Sequence, residues 1–307
     1  MNVLTLGMHV LDVLVRPVDE IPEGQGTTLV EDIRMTAAGT AGGTALTLAK
    51  LGASVRSAGA LGDDATGDML VQLLQKAGIG TADLVRKTGI ATSTSVLPIR
   101  ANGDRPSLHL LGANIAYTAG DLDPATLGWA DHVHLGAPEL IGDEAVAILK
   151  AAKDAGCTTS ADLVAPGVLL SLDALAPVLS LVDLLLPNDE QVLGLTGESD
   201  VVEAARRLVA AGARLVAVTC GGDGAVVVTA DAVERVPAFA IDVVDTTGCG
   251  DAFSAGFVTA TALGRGPVEA AALGSACAAL VAQGLGSDHG DFDLAAADAF
   301  AAGTPTR

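Results

Sequence analysis

Residues 245–253 read Asp-Thr-Thr-Gly-Cys-Gly-Asp-Ala-Phe. Gly248 and Gly250 let the backbone turn tightly with no Cβ in the way. The run opens an apolar, proline-free segment, 252–263, that reads as a helix. The amides of Gly248, Cys249 and Gly250 then converge at a helix start, where exposed N–H groups and the helix dipole favour an anion. Asp251 sets a carboxylate beside that anion site, where it repels a phosphate unless it has a task. General-base chemistry fits: a proton leaves a hydroxyl for Asp251 while the amides hold a phosphoryl group. The structural alternative is a first-turn acid favoured by the dipole by about 0.3–1 kcal/mol.

These groups need a scaffold, and the chain's patterning predicts one. Short apolar runs at 55–60, 132–136, 158–163, 184–187, 215–220 and 226–229 alternate with helical patterns at 44–51, 66–77, 143–155 and 201–211. Such alternation predicts an α/β fold, a mostly parallel central sheet flanked by helices. Gly52, Gly78, Gly156 and Gly212 follow the helical segments, where left-handed caps are expected. A β-like stretch, 233–244, leads into the 245–253 run. Two segments break the rhythm: 12–34, and 92–111 with its hairpin signal Ala101-Asn102-Gly103-Asp104. With short connections and no low-complexity linker, one domain is expected over 1–307.

Composition bounds the partners. Acidic residues number 37 against 17 basic ones, a formal net charge of -20, which disfavours nucleic acid or an anionic membrane. An anionic ligand must therefore find a local cluster of donors. Only 2% of residues are aromatic, so Ala, Val and Leu must fill the core. Cys157, Cys220, Cys249 and Cys277 form no Cys-x-x-Cys pair and read as reduced thiols of a cytoplasmic protein. His132 and His134 alternate in a strand without a nearby third ligand, which favours a structural role over a metal site. No stretch reads as a signal peptide or as a membrane span.

The 245–253 run resembles the C-terminal signature of the ribokinase-like (PfkB) carbohydrate kinases, with Cys249 where that family usually has alanine. The resemblance implies a ribokinase-like fold in which 12–34 and 92–111 form a small β-sheet lid. It also implies that Asp251 is the catalytic base and that the amides of Gly248, Cys249 and Gly250 form the anion hole. Gly7-Met-His-Val-Leu-Asp12 resembles the family's opening strand, whose aspartate binds substrate hydroxyls, and Asp12 is expected to do so here. Ala38-Gly-Thr-Ala-Gly-Gly-Thr-Ala45 resembles its N-terminal glycine-rich turn. Ala38 departs from that pattern, and so does Gly43, which stands where an asparagine often binds substrate. Gly39 and Thr40 remain substrate-side candidates. Asn114, in a Gly-Ala-Asn run, either touches substrate or simply forms a turn. Glu139 follows the 132–136 strand at the edge where α/β sheets bind ligands.

For the nucleotide, 187–197 resembles the family's Asn-x-x-Glu segment. Asn188 matches, Gln191 replaces the glutamate that acts on magnesium through water, and Glu190 is one position out of phase. Thr219, Gly221 and Gly224 resemble a turn that meets ATP phosphates, though a plain hairpin turn reads the same. Segment 267–283 is expected to line the adenine pocket. No Gly-x-x-x-x-Gly-Lys phosphate loop occurs in the chain. Taken together, the resemblance implies an ATP-dependent phosphotransferase acting on a hydroxyl of a sugar or sugar acid. Magnesium is the expected metal, with potassium at Asp245 and Thr247 and a homodimer formed through the lid. A nucleoside kinase of the same family and a non-catalytic ligand-binding protein stay open.

Overall fold

A computed structural model of the chain describes residues 1–101, 104–164 and 171–307. The chain begins with β1 (Asn2–Gly7), β2 (Val10–Arg16) and β3 (Asp32–Ala38), then α1 (Gly42–Lys50), β4 (Ser54–Gly62), α2 (Ala65–Lys76) and β5 (Gly80–Lys87). Short strands β6 (Thr94–Pro98) and β7 (Leu108–Leu110) precede α3 (Pro124–Trp129), β8 (His132–Gly136), α4 (Asp143–Asp154), β9 (Thr158–Asp162) and α5 (Leu172–Leu179). β10 (Leu184–Leu185), α6 (Asp189–Thr196), α7 (Val201–Ala210), β11 (Leu215–Thr219), β12 (Ala225–Thr229) and β13 (Val233–Val236) follow. The chain closes with α8 (Cys249–Ala262), α9 (Pro267–Val281) and α10 (Leu294–Gly303).

The larger sheet runs β13-β12-β11-β10-β9-β8-β1-β4-β5. It is parallel from β11 to β5, and β12 is antiparallel to both its neighbours. Its central strands are buried on both faces, as a helix-covered parallel sheet requires. Leu4 and Leu6 of β1 face one core, with Ile148 and Leu208, whereas Val3 faces another, with Leu48, Phe257 and Leu273. Small residues let the layers close: a Cβ at Gly256 of α8 would lie 2.7 Å from Gly274 Cα of α9. His132 and His134 bond Thr158, Ser160 and the Thr40 carbonyl, inside the sheet. Among the described residues, no helix is long and apolar enough to cross a membrane.

The two segments that broke the rhythm pair in a separate small sheet, β3-β2-β6-β7. Residues 102 and 103, the centre of the expected hairpin turn, lie outside the described residues. One expectation needs correction: the stretch 233–244 is a strand only to Val236. Pro237 has no N–H for the ladder, and the segment beyond it runs as a loop toward α8.

Candidate active site

Gly248 sits at the start of α8 with φ 78°. A Cβ there would lie 2.6 Å from Ser287 Cα, so both conformation and space demand glycine. The Cys249 amide makes a long bond, 3.3 Å, to the Thr246 carbonyl. Gly248 and Gly250 stand where a helix leaves its first N–H groups without intrahelical acceptors. The Cys249 thiol donates to the Ala278 carbonyl at 3.6 Å, and burial pushes its pKa up to about 12.

Asp251, in the first turn of α8, is half-buried against the start of α1. A Cβ placed at Gly43 would lie 2.1 Å from Asp251 Oδ2. The position that lacks a substrate-binding asparagine thus leaves room for the carboxylate of the expected base. Thr44 Oγ1 donates to the Asp251 carbonyl at 3.4 Å and ties the two helix starts together. Burial, and then the Asp12 carboxylate, push the Asp251 pKa up to about 7, against the opposing charge of Arg105.

Asp12 reaches the same place from the small sheet. It is buried on β2, opposite Thr36 of β3 and Ser95 of β6. Burial raises its pKa to about 6, while the Ser95 hydroxyl and Arg105 pull it down. Asp245, in the loop before α8, is buried; its Oδ1 accepts from the Thr247 amide at 3.0 Å and hydroxyl at 2.7 Å, and its Oδ2 from the Gly286 amide at 2.9 Å. Arg105 Nε lies 4.0 Å from Asp245 Oδ1. The small sheet's connection therefore brings one cation to a group of three aspartates.

Two participants were missed in the sequence. Asp162 ends β9, accepts from Ser254 Oγ of α8 at 3.3 Å, and is held well above the usual carboxylate range by burial and then by the Asp251 charge. An acid closing an apolar strand was the signal that singled out Asp12, and Asp162 carries the same one. Arg105 carries none, because only the folding of the small sheet brings it to Asp245.

Several other candidates, Asn114, Glu139, Asn188 and Gln191, bond the scaffold through their side chains. Asn114 accepts from the His9 amide at 3.1 Å and donates to the His9 carbonyl at 3.0 Å, clamping the β1–β2 connection. Gly39 has φ 88°, and a Cβ there would lie 2.5 Å from the Met8 carbonyl oxygen. Thr40, beside it, is buried. Glu139 Oε1 accepts from the Val164 amide at 2.6 Å. Asn188 and Gln191 form a reciprocal capping box on α6, and Gln191 Nε2 also donates to the Leu163 carbonyl at 2.8 Å. Gln191 therefore has both amide ends engaged, and Glu190 beside it is exposed.

A cleft of about 240 Å³ opens beside Gly250. The 219–224 turn, with Thr219, Gly221 and Gly224, forms one end; Ile241, Ala278, Ala279 and Ala282 supply apolar walls. This turn does join β11 to β12, so it is a hairpin turn and a cleft wall at once. The cleft meets the α8 start at Cys249 and Gly250, two of the three residues whose amides are expected to hold an anion, with Asp251 in the next position.

Comparison with known proteins agrees with this layout. Residues 3–291 match the model of the family described as pfkB family carbohydrate kinase. The chain is 34% identical over 288 residues to the ATP-dependent ribose-1-phosphate kinase of Halopiger xanaduensis, covering 92% of each protein. It is 31% identical over 253 residues to fructokinase-2 of Oryza sativa subsp. japonica, covering 77% of this chain and 74% of that one. The structure of Arabidopsis thaliana ribokinase complexed with ribose and ATP shares the fold, with a TM-score of 0.83 at 24% identity over 98% of each chain.

Proposed function

Since the chain belongs to the pfkB family of carbohydrate kinases, we propose that it moves the terminal phosphoryl group of ATP to a hydroxyl of a sugar or sugar acid. The observation that carries the proposal is Asp251, a carboxylate with its pKa near 7 at the mouth of a glycine-lined helix start. ATP occupies the cleft with its phosphates toward residues 248–250. The sugar lies under the small sheet, where Asp12 accepts hydrogen bonds from two adjacent hydroxyls. Asp251 takes the proton of the attacking hydroxyl as that oxygen bonds to phosphorus and the bond to the departing ADP oxygen breaks. The α8 amides hold the charge that builds on the equatorial oxygens.

Magnesium, bound through nucleotide phosphates with few protein oxygens, supplies charge neutralisation in such a transfer. Gln191 is poorly placed to hold its water because both amide ends are engaged, while the exposed Glu190 carboxylate offers the right donor type. At the Asp245–Thr247 loop, a carboxylate and a hydroxyl offer the oxygens a potassium ion prefers, and each keeps lone pairs beyond its present bonds. Equal rates in potassium and in a bulky organic cation remove that ion from the proposal.

Arg105 gives the acceptor side a cation, which suits an acceptor carrying phosphate or carboxylate. The named substrate of the Halopiger relative, ribose 1-phosphate, is of that kind. The test is ADP release across ribose, ribose 1-phosphate, fructose, sugar acids and nucleosides, with and without magnesium. Sugar-dependent ADP formation is expected. Release with no sugar above background overturns the proposal, and turnover of nucleosides alone reassigns the acceptor.

The outer face of the small sheet presents exposed Ile33, Met35, Val96 and Leu108, paired across strands through Val13 and Val15. A second copy of this chain is the proposed occupant, the two lids packing face to face. The thiols of Cys157, Cys220, Cys249 and Cys277 are free and support work in the reducing cytoplasm.

A further inference from the structure

One residue lining the nucleotide cleft, Arg307, lies outside the family match. That match ends at residue 291, and α10 with the segment 304–307 follows it. Phe300 of α10 packs edge-on against Phe239, ring centroids 5.4 Å apart. The chain then turns back and pairs with the cleft wall: the Ala240 amide donates to the Pro305 carbonyl at 2.8 Å, the Arg307 amide donates to the Ala238 carbonyl at 2.9 Å, and Phe239 stands opposite Thr306. This added strand delivers Arg307 to the cleft. Its Nη1 lies against Gly222, where a Cβ would be only 3.1 Å away.

Charge makes the placement informative. Among the described residues lining the cleft, Arg307 is the one charged side chain. The turn it touches offers few donors of its own, because the amides of Cys220, Asp223 and Gly224 are already bonded within the turn. Asp223 adds a negative charge there, and the whole chain carries -20. A polyphosphate entering such a site needs a cation, and a guanidinium presents paired N–H groups that match phosphate oxygens. We propose that Arg307 is a nucleotide-positioning residue that binds the phosphate chain at the 219–224 turn. This rests on the kinase reading above and adds to it a residue that the family match does not contain.

Binding of ADP with magnesium, and separately of adenosine, is measured by calorimetry without sugar, for the wild type, Arg307→Gln and Arg307→Lys. A lost charge-assisted contact should weaken ADP about tenfold in Arg307→Gln, leave adenosine unchanged, and be partly restored by lysine. The gap should narrow as potassium chloride is raised. Unchanged ADP affinity in Arg307→Gln overturns the inference, and so does equal weakening of adenosine, which would mean that the tail merely packs. A wild type that binds neither ADP nor adenosine overturns the kinase reading itself, and the inference with it.

Discussion

The proposed chemistry rests on Asp251, and its surroundings explain how one carboxylate can serve as a base. An ordinary exposed aspartate is a weak proton acceptor near neutrality; burial and the Asp12 charge bring this one up to about 7. Replacement by asparagine keeps size and removes the acceptor. Turnover should fall by roughly 10²–10⁴-fold, while ATP binding, read by calorimetry, stays intact or tightens. A folded Asp251→Asn enzyme with near-normal turnover would sink the mechanism. The same proposal fixes the expected pH profile. A base acts only when ionised, so kcat/KM should climb as pH rises, with a midpoint near 7. Arg105 holds the Asp251 value down, so Arg105→Gln should move that midpoint to higher pH. A midpoint that stays in place would show that Arg105 does not reach Asp251 through space.

At the scale of elements, the helix starts are held by bonds the sequence alone left ambiguous. Gln191 caps α6 and crosses to the Leu163 carbonyl beyond β9. Gln191→Glu can keep the capping bond, since glutamate also serves at that position, but it sets a carboxylate against a carbonyl. A loss of about 1–3 kcal/mol in denaturant unfolding is expected, together with a lower magnesium requirement if the new acid reaches the metal's water. Unchanged stability would contradict the bond to Leu163; an unchanged magnesium requirement would show that the position is silent toward the metal. The α8 start has a similar logic: Gly248 and Gly43 matter for what they leave out, a Cβ against Ser287 in one case and against Asp251 in the other.

The molecule as a whole is a layered nine-stranded sheet with a separate four-stranded sheet beside it, the proposed substrate cover. Because paired residues share a face, Asp12, Thr36 and Ser95 point one way while Val13, Met35 and Val96 point the other. One face turns Asp12 toward the proposed substrate site, and the other leaves apolar surface in water, which is costly unless covered. Wild-type protein should therefore show the mass of a dimer by light scattering, and Leu108→Glu should shift it to a monomer. A wild type that is monomeric at micromolar concentration would refute the assembly.

Much of this was legible beforehand. Helix and strand periods located the α/β core, because each element buries a stripe or face that its own residues spell out. Helix-ending glycines behaved as expected: Gly52, Gly78, Gly156 and Gly212 all have positive φ. The 245–253 run marked the glycine turn at the start of α8, with Asp251 in its first turn, because that feature is local, built within one turn. Position in space was a different matter. The strand after Val233 stopped early at Pro237, Asp162 and Arg105 joined the site from distant segments, and Asn114 and Gln191 turned out to bond the scaffold. Arg307 reached the cleft only because 304–307 pairs with 238–240. Periodicity and short motifs report interactions between neighbours in sequence; the charge at Asp251 and the cation at the cleft depend on residues more than 50 positions away from them, and only the folded chain brings those together.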